Sequence, residues 1–174
     1  TFALGGLQAH DVDALRRLFA DKTASADFSV GDEAFLLAGR TNPEDLLAQL
    51  QLLTAHLTAP GYREEAEEQF RKNLEPMYTE LGHTAEGIMA DRVVSFIHSG
   101  DPRFGFPAID EMKKRSLAEL KAWLAPELAE SFLEVSFVGD VDPKAALEAT
   151  AATLGALPRR KNKKADYTAA RKVA

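Results

Sequence analysis

The chain has 174 residues, 45% of them hydrophobic and 28% charged, with a formal net charge of −6. That length supports one domain with a sizeable core, and that mixture excludes an intrinsically disordered chain. There is no cysteine, which excludes disulfides and thiolate chemistry, and no run approaching the roughly 18 apolar residues of a membrane span.

The opening Thr1-Phe2-Ala3-Leu4-Gly5-Gly6 lacks an initiator Met and reads first as a cut made inside a longer chain, with a processed terminus as the alternative. Asp11 is the expected N-cap of a first short helix through Val12, Leu15, Leu18 and Phe19. Ala26, Phe28 and Val30 then alternate with polar residues, and 34–39 is a second apolar run. The Gly31-Asp32 pair between them predicts a β-hairpin. Thr41-Asn42-Pro43-Glu44-Asp45 predicts a helix start at Pro43, followed by the apolar stripe Leu46, Leu47, Leu50, Leu53 and Leu57, with Pro60-Gly61 as the stop.

A second long helix is expected from Tyr62, with Glu64, Glu65, Glu67 and Glu68 in its first turns and Arg71 and Lys72 placed for i,i+4 pairing. Ala66, Phe70, Leu74, Met77 and Leu81 would be its buried face, and Pro76 should kink it. A third helix is expected from Thr84 to His98, and the Gly and Pro content of 99–107 predicts a loop. Ser116 should cap a helix burying Leu117, Leu120 and Leu124. Phe132 to Val138 is the clearest strand of all, with Leu133, Val135 and Phe137 on one face and Glu134 and Ser136 on the other. A last helix follows Asp142-Pro143 and is expected to end at Gly155. Hairpin strands with runs of helices between them indicate an α+β fold, not a doubly wound parallel sheet. Three strands make a thin sheet, so the rest of it is expected in segments outside these residues.

Residues 159–174 hold seven bases against Asp166, which leaves 14 bases and 26 acids in residues 1–158. A body that acidic repels a phosphate backbone, so nucleic acid is not an expected partner. Arg159-Arg160-Lys161-Asn162-Lys163-Lys164 reads first as a basic linker, making 1–158 one domain and 159–174 the start of the next segment. A handle for anionic partners and a nuclear-type signal are the other readings. Localisation is open between periplasm and cytoplasm, either of which suits a chain without cysteine.

Four histidines are available: His10, His56, His83 and His98. A zinc peptidase helix needs two imidazoles one turn apart with a glutamate beside them, and neither H-E-x-x-H nor H-x-x-E-H occurs. His83-Thr84-Ala85-Glu86-Gly87 has the first histidine and the glutamate, but Gly87 stands where the second ligand belongs. Helix-entry chemistry accounts for it better than a metal does. His56, beside the leucine stripe, reads as a packing or surface histidine, and the glutamates at 64–68 as a solvated helix N-terminus. With no G-x-S-x-G and no thiol, an acyl-enzyme nucleophile is also missing.

One long succession goes further. Phe35-Leu36-Leu37-Ala38-Gly39-Arg40-Thr41, Leu57-Thr58-Ala59-Pro60-Gly61-Tyr62, Asp101-Pro102-Arg103-Phe104, the helix at 116–124, Leu133-Glu134-Val135-Ser136-Phe137-Val138-Gly139-Asp140-Val141-Asp142 and Thr153-Leu154-Gly155-Ala156-Leu157-Pro158 follow in order. This succession, over about residues 2–160, resembles the insulinase/pitrilysin family of zinc metallopeptidases, which includes the mitochondrial processing peptidases. The resemblance implies an α+β domain with a mostly antiparallel sheet and helices packed on one face, one of two homologous halves that close around a peptide. It implies zinc in the catalytic half, with the Gly5-Gly6 opening and the Asp101–Phe104 loop looking like the degenerate half. The N-terminal elements of the domain would then precede residue 1. The expected partners are the catalytic half, in the same or a paired chain, and a peptide substrate. No catalytic or metal-ligating residue is expected in this chain, and substrate-binding residues stay unassigned; were this the active half, Glu75 would be the third zinc ligand by spacing. A scaffold or assembly subunit that has lost proteolysis is the alternative. In either case, apolar surface left by absent segments would favour self-association.

Overall fold

In the computed structural model, which describes residues 2–31 and 34–160, the expected caps place the helices. The Asp11 carboxylate accepts from the Ala14 amide at 2.6 Å and opens α1 (Val12–Leu18). Two short strands, β1 (Asp27–Val30) and β2 (Phe35–Ala38), pair antiparallel in the register Phe28↔Leu37 and Val30↔Phe35. The turn residues 32 and 33 between them lie outside the described residues. Helix α2 is Leu46–Thr58, α3 is Glu64–His83, and α4 (Ala85–Ile88) and α5 (Val94–Ile97) are joined by a π-helical stretch at Met89–Val93. Then come α6 (Ile109–Lys113), α7 (Leu117–Glu130) and α8 (Pro143–Ala152). Ser116 and Glu119 form a reciprocal capping box on α7, and Asp142 caps α8 just ahead of Pro143.

The expected mostly antiparallel sheet is the main correction. Helices hold more than half of the chain, and the sheet among the described residues is the two-stranded hairpin alone. Phe132 to Val138, expected as the clearest strand, forms none: it joins no ladder among the described residues. Its Leu133 and Phe137 still turn inward onto side chains of the helices and hairpin. Three boundaries also move. Helix α2 starts at Leu46 because the Asn42 side chain accepts from the Asp45 amide and holds 42–45 as a turn. Helix α3 starts at Glu64, since Tyr62 has φ +46° and cannot be helical. Helix α8 ends at Ala152, and Gly155 falls in the following single turn.

The core is two clusters. Phe2, Leu57, Leu124 and Leu128 form one, roofed by the inner hairpin face through Phe28, Phe35 and Leu37. Leu46, Leu50 and Ala146 form the other, with Leu154 touching both. Each fully buried leucine contributes roughly 1.5–3 kcal/mol by leaving water, and Leu124 and Leu74 are the most deeply enclosed. An aromatic chain ties hairpin to helices: Phe2 to Phe28 at 4.5 Å, Phe28 to Phe35 at 6.0 Å, and Phe35 edge-on to Trp123 at 5.0 Å.

Helix α6 was not expected from the sequence, and neither was the course of the N-terminal segment. Its backbone crosses the α2–α3 connection, with the Gly61 amide on Gly6 O at 2.9 Å and the Gln8 amide on Ala59 O at 2.9 Å. A Cβ on Gly61 would run into the Gly5 carbonyl, so the Gly5-Gly6 pair and Gly61 are a crossing of two main chains rather than isolated turns. Arg63 locks the crossing by donating to Leu7 O at 2.9 Å and Gln8 O at 3.0 Å.

Candidate functional site

A polar cleft of about 340 Å³ lies between the N-termini of α3 and α7, lined by Tyr62, Glu64, Glu67, Glu68, Arg71 and Leu117. Its chemistry is committed to holding helices together. Glu67 accepts from the Leu117 amide at 2.9 Å and from Arg71 at 2.7 Å, and these two contacts, in that order, lower its pKa. Arg71 reaches on to Lys113 O and Arg115 O, at 2.5 and 3.1 Å. Lys72 pairs with Glu68 at 3.7 Å. The glutamates at 64–68 are thus largely a charged helix start pinning α3 to α7, as their i,i+4 spacing indicated.

The loop at 99–107 is built with more care than its Gly and Pro content suggested. Arg103 folds back on Asp101 through its guanidinium at 2.5 Å and its backbone amide at 3.0 Å, which in that order hold the Asp101 carboxyl down to about 2. Ser99, Gly100 and Gly105 all take positive φ. His98 stacks on Phe104 at 3.7 Å, and Asp91 in the π-helical stretch accepts from the Phe106 amide at 3.0 Å. Around this loop Met89, Phe96, Ile97 and Phe106 are all exposed, with Phe96 at 84%.

The histidines serve structure at separate places. His83 Nδ1 is 2.6 Å from Thr79 O, and His98 Nδ1 is 2.8 Å from Val94 O, each one turn back along its own helix. His10 is exposed before α1. His56 is 3% exposed, contrary to a surface reading, with its ring 6.1 Å from that of Phe2, and burial lowers its pKa. Neither His56 Nδ1 nor the Tyr62 hydroxyl has a hydrogen-bond partner among the described residues. Glu86 stays on the surface of α4, where the Thr84 hydroxyl caps the helix through the Gly87 amide at 3.0 Å. Gly87 itself is buried, and a Cβ there would sit 2.5 Å from Leu81 Cα. No imidazole fits at that position, so His83 and Glu86 cannot be completed into a zinc helix. Glu75 pairs with Lys113, tying α3 to α6. No group of three His, Asp or Glu side chains suited to a metal occurs among the described residues.

Two arginines carry more than the sequence indicated. Arg63 is the clamp on the N-terminal segment, and Arg160 donates to Leu128 O at 2.6 Å and Ser131 O at 3.3 Å. The last turn of α7 has no base of its own, so Arg160 supplies the positive charge that a helix C-terminus favours. The rest of the basic run, 161–164, lies outside the described residues. No helix among the described residues is long and apolar enough to cross a membrane.

No protein-family model and no curated protein matches the chain. Among solved structures, 93% of the chain superposes on part of the ferredoxin protease FusC, crystallised as a point mutant in complex with Arabidopsis ferredoxin. The TM-score is 0.66 at 19% sequence identity, and the match spans 18% of that protein's chain. The chain therefore shares the fold of a segment from a much longer protease.

Proposed function

We propose that the chain is part of the non-catalytic half of a zinc-dependent metallopeptidase of the insulinase/pitrilysin family, where it forms part of the wall of a substrate chamber. The observation that carries this reading is the fold shared with a segment of a ferredoxin protease over 93% of the chain. The motif succession from Phe35 to Pro158 supports the same family by resemblance. The non-catalytic half is favoured because the Gly5-Gly6 opening and the Asp101-Pro102-Arg103-Phe104 loop resemble the family's degenerate half. Peptide hydrolysis would belong to a catalytic half in the same or a paired chain, where zinc activates water and a glutamate acts as base. This chain contributes shape and packing surface, with an extended polypeptide as the substrate between the halves.

The test is an assay of the purified chain on unstructured peptides with and without a chelator, run beside metal analysis. The expected result is no turnover and no stoichiometric zinc. Chelator-sensitive cleavage by this chain alone would falsify the reading. In any longer polypeptide containing these residues, H-x-x-E-H outside them supports the peptidase, and its absence favours the scaffold subunit.

A further inference from the structure

Residues 2–7 lie as a strap over the titratable ring of His56. One isolated bridge, Leu7 to Pro60, joins the strap to the α2–α3 connection, with the Gly61 amide on Gly6 O and the Gln8 amide on Ala59 O. Arg63 adds its two bonds to the carbonyls of Leu7 and Gln8. Phe2 fills the first core cluster, its ring against those of Phe28, Tyr62 and His56. His56 is buried there with Nδ1 unpartnered among the described residues. A neutral imidazole bears such a place at the cost of one unmade hydrogen bond, whereas an imidazolium would be a charge without water or counter-ion. Helix α2 has no other titratable group, and neither residues 2–7 nor the inner hairpin face of Phe28, Phe35 and Leu37 adds one. The α2–α3 connection offers Tyr62 and Arg63, and α7 offers Lys121, 6.0 Å over the Tyr62 ring. The carboxylates of the adjoining helices are engaged or solvated: Glu67 on Leu117 and Arg71, Glu119 in the α7 capping box, Glu127 on Ser131, and Glu64 and Glu130 exposed. Burial alone acts on the ring, and it lowers the pKa.

We propose that residues 2–7 are an acid-opened strap: protonation of His56 lifts Phe2 off the first core cluster and releases the main-chain crossing, while the helices stay folded. With the strap closed, the ring stays neutral. With the strap open, the ring meets water and takes up a proton at its ordinary pKa. Acid therefore favours the open form, by about tenfold for each pH unit below about 6.5 until the closed ring also titrates. Release is local, because the strap is held by one aromatic ring, two backbone bonds and the Arg63 clamp. Leu57 of α2 and Leu124 and Leu128 of α7 remain packed on one another. Opening uncovers their apolar surface beside the two polar groups that the closed strap hides, His56 and Tyr62. This device does not depend on the peptidase reading.

The test is native-state amide exchange of the full chain, each rate divided by that of an unstructured peptide at the same pH. The amides of Gln8 and Gly61 bond across the crossing and report opening of the strap, while those of Leu124 and Leu128 in α7 report global unfolding. Gln8 and Gly61 should be at least about tenfold less protected than Leu124 and Leu128, as a local opening requires. Their protection should fall by up to about tenfold between pH 7.5 and 5.5, because the exposed ring titrates near 6.5. In His56→Leu, and in His56→Gln with its polar side chain, that fall should vanish. Protection at Gln8 and Gly61 equal to that of Leu124 overturns the proposal, since the strap would then open only with the whole fold. So does protection indifferent to acid, or a fall that persists in a folded His56 variant.

Discussion

Two segments of this molecule, 2–7 with its 3-10 turn at Ala3–Gly5 and 132–138 with no regular element, meet opposite fates. The first is threaded between main chains: Phe2 is 5% exposed and Leu7 7%, glycines let the backbones touch, and Arg63 ties down two carbonyls. The second has the better strand pattern, yet Val138 is fully exposed and its backbone groups find no partner among the described residues. Apolar content does not separate them. What separates them is whether another main chain lies within hydrogen-bonding distance, and alternating side chains can orient a strand without creating that neighbour.

This contrast is sharpest where a side chain is removed. Phe2→Ala strips the ring that joins Phe28, His56 and Tyr62, and should cost about 3–5 kcal/mol by cavity formation. Denaturant unfolding would measure it, and a loss below about 1 kcal/mol would mean that the N-terminal segment is not part of the core. A smaller effect comes from His56, the titratable group sealed beneath that segment. Burial lowers its pKa, so above its ordinary value of about 6.5 both folded and unfolded rings are neutral and it exerts no pull. As pH falls below that value, the unfolded chain binds the proton first, and stability drops until the folded-state ring also titrates. Thermal melts between pH 7 and 5 should show this slope, and His56→Leu should flatten it; an unchanged slope in the variant would assign the effect to other groups. The smallest effect belongs to the open segment. Val138→Ser should change stability of the dilute chain by no more than about 0.5 kcal/mol, because nothing covers that side chain. A larger loss there would show the segment to be packed in solution after all, and would erase the contrast.

The candidate site was legible where its chemistry is local. The pairing of Glu67 with Arg71 one helical turn away, the Thr84 cap at His83-Thr84-Ala85-Glu86-Gly87, and the lack of a two-imidazole motif follow from neighbours three or four residues apart. The burial of His56 was not legible, because it depends on Phe2, which is 54 positions distant and approaches only through the glycine crossing. The Arg160 contacts with the end of α7 escaped for the same reason: in the linear chain that arginine is indistinguishable from the bases beside it.

By itself the sequence determined the helix starts at Asp11, Ser116 and Asp142, the hairpin, and the inward-facing pair Leu133 and Phe137, since caps and side-chain periods act over a few bonds. Only the tertiary structure decided which apolar segments are paired and why Gly61 and Gly87 admit no side chain. Those outcomes depend on distant main chains meeting, and strand pairing is satisfied by a partner that local pattern neither names nor provides.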